Sequence, residues 1–299
     1  MPLGSVSALR STLASGFAAL TAVTWCLLVF GTTVRVHGAG LSCPDWPLCY
    51  GKFIPNFDGR IALEWGHRVL AGTMSVGFML AGGGVLAVPE LRLVAGKLVG
   101  VASAVLITQI VLGGLTVLKL LAFWSVTLHL LTGNAFMVIL LVIAVRLRAP
   151  ALPPGPGPRG WGAALAVVLA LQMAFGGLSS SNYAGMACTE WPTCNGGVWI
   201  PTTTGIIGLH LLHRLGAYTL LVIALAFVVA MRGDPHLGRA VAIASLVVGQ
   251  VCLGVANIFT GLPAELAIAH AAVADTLVLL TAFTLMGLFS RVTTPAVTP

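Results

Sequence analysis

Apolar residues run through the 299-residue chain in long, nearly unbroken stretches, separated by short breaks rich in Gly, Pro and charge. A helix needs about 20 such residues to cross the roughly 30 Å hydrocarbon layer of a bilayer. Eight windows meet that length, about 15–36, 62–88, 93–118, 122–146, 160–182, 207–231, 238–260 and 264–290. Outer-membrane barrels alternate apolar and polar positions over about ten residues, and these runs do neither. The pattern predicts an all-α membrane protein of eight transmembrane helices. Composition agrees: 58% of residues are apolar, 8% are charged and mean hydropathy is +1.02.

The net charge of +7 and pI near 9.5 would suit a nucleic-acid binder in a soluble protein. Spread over membrane loops, the cations read instead as topology signals, and no nucleic acid is expected. Assigning loops alternately to two sides puts nine on one side, from Arg10 and Arg92 to Arg239 and Arg291, against Lys52, Arg60 and Lys119 on the other. Positive-inside bias then places both termini in the cytoplasm and the loops 37–61 and 183–206 outside, in a multi-pass protein of the cell (inner) membrane.

The chain repeats itself. Cys43-Pro-Asp-Trp-Pro-Leu-Cys49 returns 145 residues on as Cys188-Thr-Glu-Trp-Pro-Thr-Cys194, and Glu64-Trp-Gly-His67-Arg68 returns 146 on as His210-Leu-Leu-His213-Arg214. Gln109-Ile-Val-Leu-Gly113 returns as Gln250-Val-Cys-Leu-Gly254, and His129 as His270, both 141 residues on. This predicts two tandem four-helix bundles, 1–149 and 160–299, joined by a proline-rich cytoplasmic linker at 150–159. An even number of spans per unit makes the repeats parallel.

His67, His129, His213 and His270 fall near the outer ends of the second, fourth, sixth and eighth spans, so the two in each half share a depth and can face one another across a bundle interior. Two axial imidazoles are what a six-coordinate haem iron requires. A lone membrane histidine more often hydrogen-bonds a neighbouring helix, but four at related positions favour a metal centre. Zinc is disfavoured because no third ligand recurs at that level. Arg68 and Arg214, at the watery end, are candidates for propionate contacts or for interfacial snorkelling.

Four loop cysteines on an oxidising side are expected as disulfides. The repeated six-residue spacing favours Cys43–Cys49 and Cys188–Cys194 among three connectivities, as structural staples or, for Cys43–Cys49, as a redox pair. Cys26 and Cys252, inside spans, read as small buried apolar residues.

The halves differ where chemistry would differ. Glu64 sits one turn before His67 on the same helix face, where the second half has His210. Arg35 and His37 correspond to Ser180 and Asn182. Titratable groups beside one iron site point to reaction in the first half and electron carriage in the second. The alternative role for Glu64 is to cap the second helix.

Together the duplicated unit, Glu64-x-x-His67-Arg68, His210-x-x-His213-Arg214, the Gln-x-x-x-Gly elements and the paired Cys loops resemble the haem A synthase family, almost end to end. The resemblance implies oxidation of a haem O methyl group to a formyl group by successive hydroxylation, giving haem A for haem-copper terminal oxidases. It implies His213 and His270 as ligands of a resident haem b (iron protoporphyrin IX), His67 and His129 at the substrate haem O, and Glu64 as the important carboxylate. Haem O carries a long isoprenoid tail, so lateral entry from the lipid bilayer or direct transfer from haem O synthase is expected. No pattern in the chain assigns an electron acceptor. On the residues alone, two other readings stand: a dihaem carrier from quinol to a periplasmic acceptor, and a quinone-linked thiol oxidoreductase.

Overall fold

The computed structural model describes residues 3–148 and 157–289. Among them the order is α1 (Leu3–Val36), α2 (Gly59–Ala87), α3 (Pro89–Leu118), α4 (Phe123–Arg148), α5 (Arg159–Ser181), a 3₁₀ turn (Ala184–Met186), α6 (Gly205–Ala230), α7 (Leu237–Phe259) and α8 (Ala264–Phe289). All eight α-helices are long and apolar enough to cross a membrane. The only β pairing among the described residues is an isolated bridge between Cys49 and Lys52.

Helix starts and stops follow local chemistry. The Asp58 carboxylate accepts the backbone N–H groups of Arg60 and Ile61 and so caps α2; Glu64 lies inside that helix and does not. Pro89 at the start of α3 supplies a ready helical φ where the missing N–H costs nothing. The short turns after α3 and α7 close alike: Leu121 N–H donates to Thr116 O at 2.7 Å and Leu262 N–H to Asn257 O at 2.7 Å. α1 begins well before the apolar run, because residues 5–14 hold neither Gly nor Pro and Arg10 is anchored by donating to Leu147 O at 2.8 Å. The linker positions 150–156, like Arg291, lie outside the described residues. Pro158 precedes α5, whose Arg159 donates to Leu288 O at 3.0 Å.

Packing closes one ring through α1, α2, α3 and α4 and a second through α5, α6, α7 and α8; α1 and α4 meet α5 and α8 between them. Phe17, Phe78, Phe136 and Leu140 centre the first core, and Leu165, Phe227, Ile243 and Leu277 the second. Polar contacts stitch the seam: Trp25 Nε1 donates to Thr276 Oγ1 at 3.1 Å, Thr127 and Ser181 hydroxyls pair at 3.1 Å, and Arg35 Nε donates to Ser180 Oγ at 2.9 Å. Buried Asn134 and Asp275, on α4 and α8, sit among these facing helices.

One expectation fails here. Cys26 and Cys252 are exposed on the outer helix surfaces instead of being buried. In a bilayer the outward face meets hydrocarbon, and a small thiol is accepted there as readily as inside the protein.

Candidate functional site

Each long loop at one end of the molecule is closed by a disulfide, Cys43–Cys49 and Cys188–Cys194. A carboxylate inside each staple holds the turn. Asp45 accepts from Tyr50 N–H at 2.6 Å and Gly51 N–H at 2.8 Å; Glu190, 145 residues on, accepts from Gly196 N–H at 3.0 Å and Gly197 N–H at 2.9 Å. Donation from Gly51 to Asp45, and from Gly197 and Gly196 to Glu190, holds both carboxyls below the usual carboxylate range.

The helix arginines reach up into these loops. Arg68 donates to Asp45 O at 2.8 Å, Leu48 O at 2.7 Å and Cys43 O at 3.2 Å. Arg214 does the same to Thr193 O at 2.9 Å, Glu190 O at 2.8 Å and Cys188 O at 3.2 Å. A guanidinium fork suits such a set of carbonyls, and both side chains act as clamps that fasten loop to helix.

Below the loops sit the four histidines, each half-buried and each set against a glycine of the preceding helix. A methyl group built on Gly31 would stand 3.2 Å from His67 Cε1; on Gly113, 3.1 Å from His129 Cε1; on Gly176, 3.1 Å from His213 Cε1; on Gly254, 3.5 Å from His270 Cε1. Gly176 follows Gly31 by 145 residues and Gly254 follows Gly113 by 141, so the notches recur with the histidines. His213 and His270 bring their ring centres to 6.5 Å. Nδ1 of His67, His129 and His270 is enclosed without a hydrogen-bond partner.

The repeated glutamines explain themselves here. Gln109 approaches the His129 ring, Nε2 to Nε2, at 3.4 Å and accepts from the Thr132 hydroxyl, while Gln250 donates to His270 O at 2.8 Å. Gln172, not singled out by the sequence reading, holds His213 at both its ring (3.1 Å) and its carbonyl (3.0 Å); its counterpart in the first half is Leu27.

Glu64 is 4% exposed. Its Oε2 accepts Cys43 N–H at 2.8 Å and its Oε1 pairs with Arg68 at 2.5 Å. The carboxylate therefore joins the Cys43–Cys49 loop to the helix turn that carries His67. His210 at the related position holds its own loop through Ala184 O, 2.7 Å from Nδ1.

The COX15-CtaA model, described as cytochrome oxidase assembly protein, matches residues 17–62 and 56–283. A heme A synthase of Symbiobacterium thermophilum is 33% identical over 259 residues, covering 78% of this chain and 81% of its own. The chain belongs to the haem A synthase family. Other haem A synthases, from Shewanella oneidensis at 28% identity (83% of this chain, 88% of theirs) and a Chelativorans species at 30% (83% of each), match it comparably.

Sequence reasoning missed four things the fold makes plain. Asp58 as the α2 cap was readable from an Asp before a helical run. Gly31 and Gly176 were readable from the repeat, in Phe30-Gly31 and Phe175-Gly176. Asp275, 2% exposed, was readable as a carboxylate inside an apolar span; it follows His270 by five residues, as Asn134 follows His129. Gln172 gave no signal, since its repeat position is apolar.

Proposed function

We propose that the chain is a haem A synthase, oxidising a methyl group of haem O to a formyl group by successive hydroxylation. In this reading His213 and His270 in 160–299 hold a resident haem b, while His67 and His129 in 1–149 hold the substrate haem O. The linker 150–159 and both termini are cytoplasmic, and the cysteine loops lie on the outer side of the cell membrane.

The observation that carries the reading is the His213–His270 ring pair at 6.5 Å. His213 and His270 would hold the iron of such a haem through their ring nitrogens, and their separation leaves room for a metal atom between the two rings. The donor set fits a bis-histidine haem. When bound, haem b supplies one-electron redox chemistry tuned by its axial ligands and their surroundings.

The protein's own groups do the rest. The glycines let the imidazoles stand flush against α1, α3, α5 and α7, and the glutamines fix the ligand helices and rings from the side. Arg68 and Arg214 hold the stapled loops down against their helices, with the Trp46 ring against Gly114 of α3. Glu64 brings a negative charge one turn from His67, ready to stabilise positive charge at the substrate or to accept a proton as the methyl group is oxidised. Its link to Cys43 ties that charge to loop closure.

Extraction of haems from the purified chain tests the function. One haem b together with haem O or haem A is expected. Two equivalents of haem b would instead mean an electron carrier, and no haem a thiol enzyme.

A further inference from the structure

With the Arg68 guanidinium on the loop carbonyls, the carboxylates of a substrate porphyrin need other partners. Propionates cannot lie in hydrocarbon without a large penalty, so they must point toward the watery, loop-bearing end. At that end of the first half, between the end of α1 and the start of α2, lies an open cleft of about 550 Å³ lined by His37, Asp58, Gly59, Arg60 and Leu63.

Its depth is right. Arg60 precedes His67 by seven residues, two turns along one face of α2, about 10 Å outward at 1.5 Å per residue. On α1, Gly31 marks the level of His67, and His37 follows it by six residues, about 9 Å outward. The Arg60 guanidinium and the His37 imidazole thus arrive at one height from adjacent helices, above the same pair of histidines. A porphyrin's half-width plus its propionate arm spans a comparable distance.

Its chemistry is right as well. The Arg60 guanidinium makes no hydrogen bond or ion pair among the described residues. His37 spends Nδ1 on Thr33 O at 2.9 Å, which leaves Nε2 for a further polar contact in the cleft. The one acid in the cleft, Asp58, directs its Oδ1 at the backbone N–H groups of Arg60 and Ile61 in capping α2. The second half lacks all of this: Asn182 stands for His37, Thr204 for Asp58 and exposed Ile206 for Arg60.

We propose that Arg60 and His37 form the anion subsite that seats the propionates of the substrate haem in the first half, and that the second half has no equivalent. This rests on the assignment of His67 and His129 to the substrate. The site orients the porphyrin by its charged edge, which leaves the opposite edge, with the isoprenoid tail, toward the bilayer.

The test uses the purified full chain in nanodiscs, titrated with haem O and with haem O dimethyl ester, whose propionates carry no charge. Wild type is expected to bind the free acid about tenfold more tightly than the ester, as for a charge-assisted contact at a partly exposed site. The double variant Arg60→Gln/His37→Gln should bind both forms with the ester's affinity while the low-spin spectrum of the resident haem stays unchanged, and Arg60→Lys should keep most of the preference. Equal binding of acid and ester by wild type, or an undiminished preference in the double variant, overturns the subsite. Haem O binding that His67→Ala leaves untouched identifies a different failure, that of the substrate-site assignment beneath it.

Discussion

Three carboxylates in this molecule hold loops, yet they do two kinds of work. Glu64 accepts Cys43 N–H and pairs with Arg68, so Glu64→Gln keeps an acceptor for the amide and deletes the charge. Because charged hydrogen bonds contribute roughly 1.5–3 kcal/mol, some loosening of the first loop is expected, well short of unfolding. Chromatography of haems extracted from cells expressing the variant should show normal haem b, little haem A and accumulated haem O or its hydroxylated form; near-normal haem A would make the carboxylate dispensable, and failure to accumulate would make it structural. Asp45 and Glu190 are instead half-buried staples whose folded pKa lies below the ordinary value because backbone N–H groups point at them. A depressed pKa contributes stability above the unfolded value, near 4, and loses it as pH falls through the folded one. Amide protection at Gly51 and Gly197, measured by hydrogen exchange as protection factors, should therefore hold from neutrality down through about pH 4 and drop only below. A loss between pH 7 and 5 would point to another group.

The helices were legible wherever solvent polarity wrote the signal. Eight apolar windows became eight helices because lipid requires a satisfied backbone along the whole crossing, and the repeated Cys, His and Gln positions became repeated contacts. Parts that depend on side-chain direction were not legible. Cys26 and Cys252, expected inward, face outward because both surroundings are apolar, and Arg68, expected at propionates or the interface, proves to hold loop carbonyls once the loop path is known. The start of α1 was hidden too, since the packing of Arg10 on α4 extends it beyond its apolar run. The glycine notches belong to this scale, and they oppose helix propensity to site geometry. Gly to Ala inside a helix ordinarily stabilises by roughly 0.5–1 kcal/mol, and Gly249→Ala on α7, with nothing within 4 Å, should do so. Gly176→Ala places a methyl group 3.1 Å from the His213 ring and should lower the haem b content and alter the low-spin EPR signal instead. Equal haem spectra in the two variants would remove the notch from the account of the site.

At the scale of the whole molecule, two similar rings of four helices carry the same stapled loop, the same arginine clamp and the same histidine–glycine pairs, and depart from each other at Glu64, Gln172, Arg60 and His37. On the proposed reading the shared features would serve two porphyrin sites, with Glu64 and Arg60 beside one and Gln172 bracing His213 in the other. Asp275 and Asn134, buried where the rings meet, occupy related positions in the two halves and make the seam itself unequal. That seam joins the two halves through α1 and α4 against α5 and α8. The division of labour is the central claim, and one paired measurement bears on it most directly: haem b per protein, by pyridine haemochrome and low-spin EPR, in purified His213→Ala and His67→Ala. His213→Ala should lose the resident haem b because alanine offers no axial nitrogen, while His67→Ala should keep it and lose conversion of haem O. Haem b lost from His67→Ala and retained with an unchanged spectrum in His213→Ala would contradict the account.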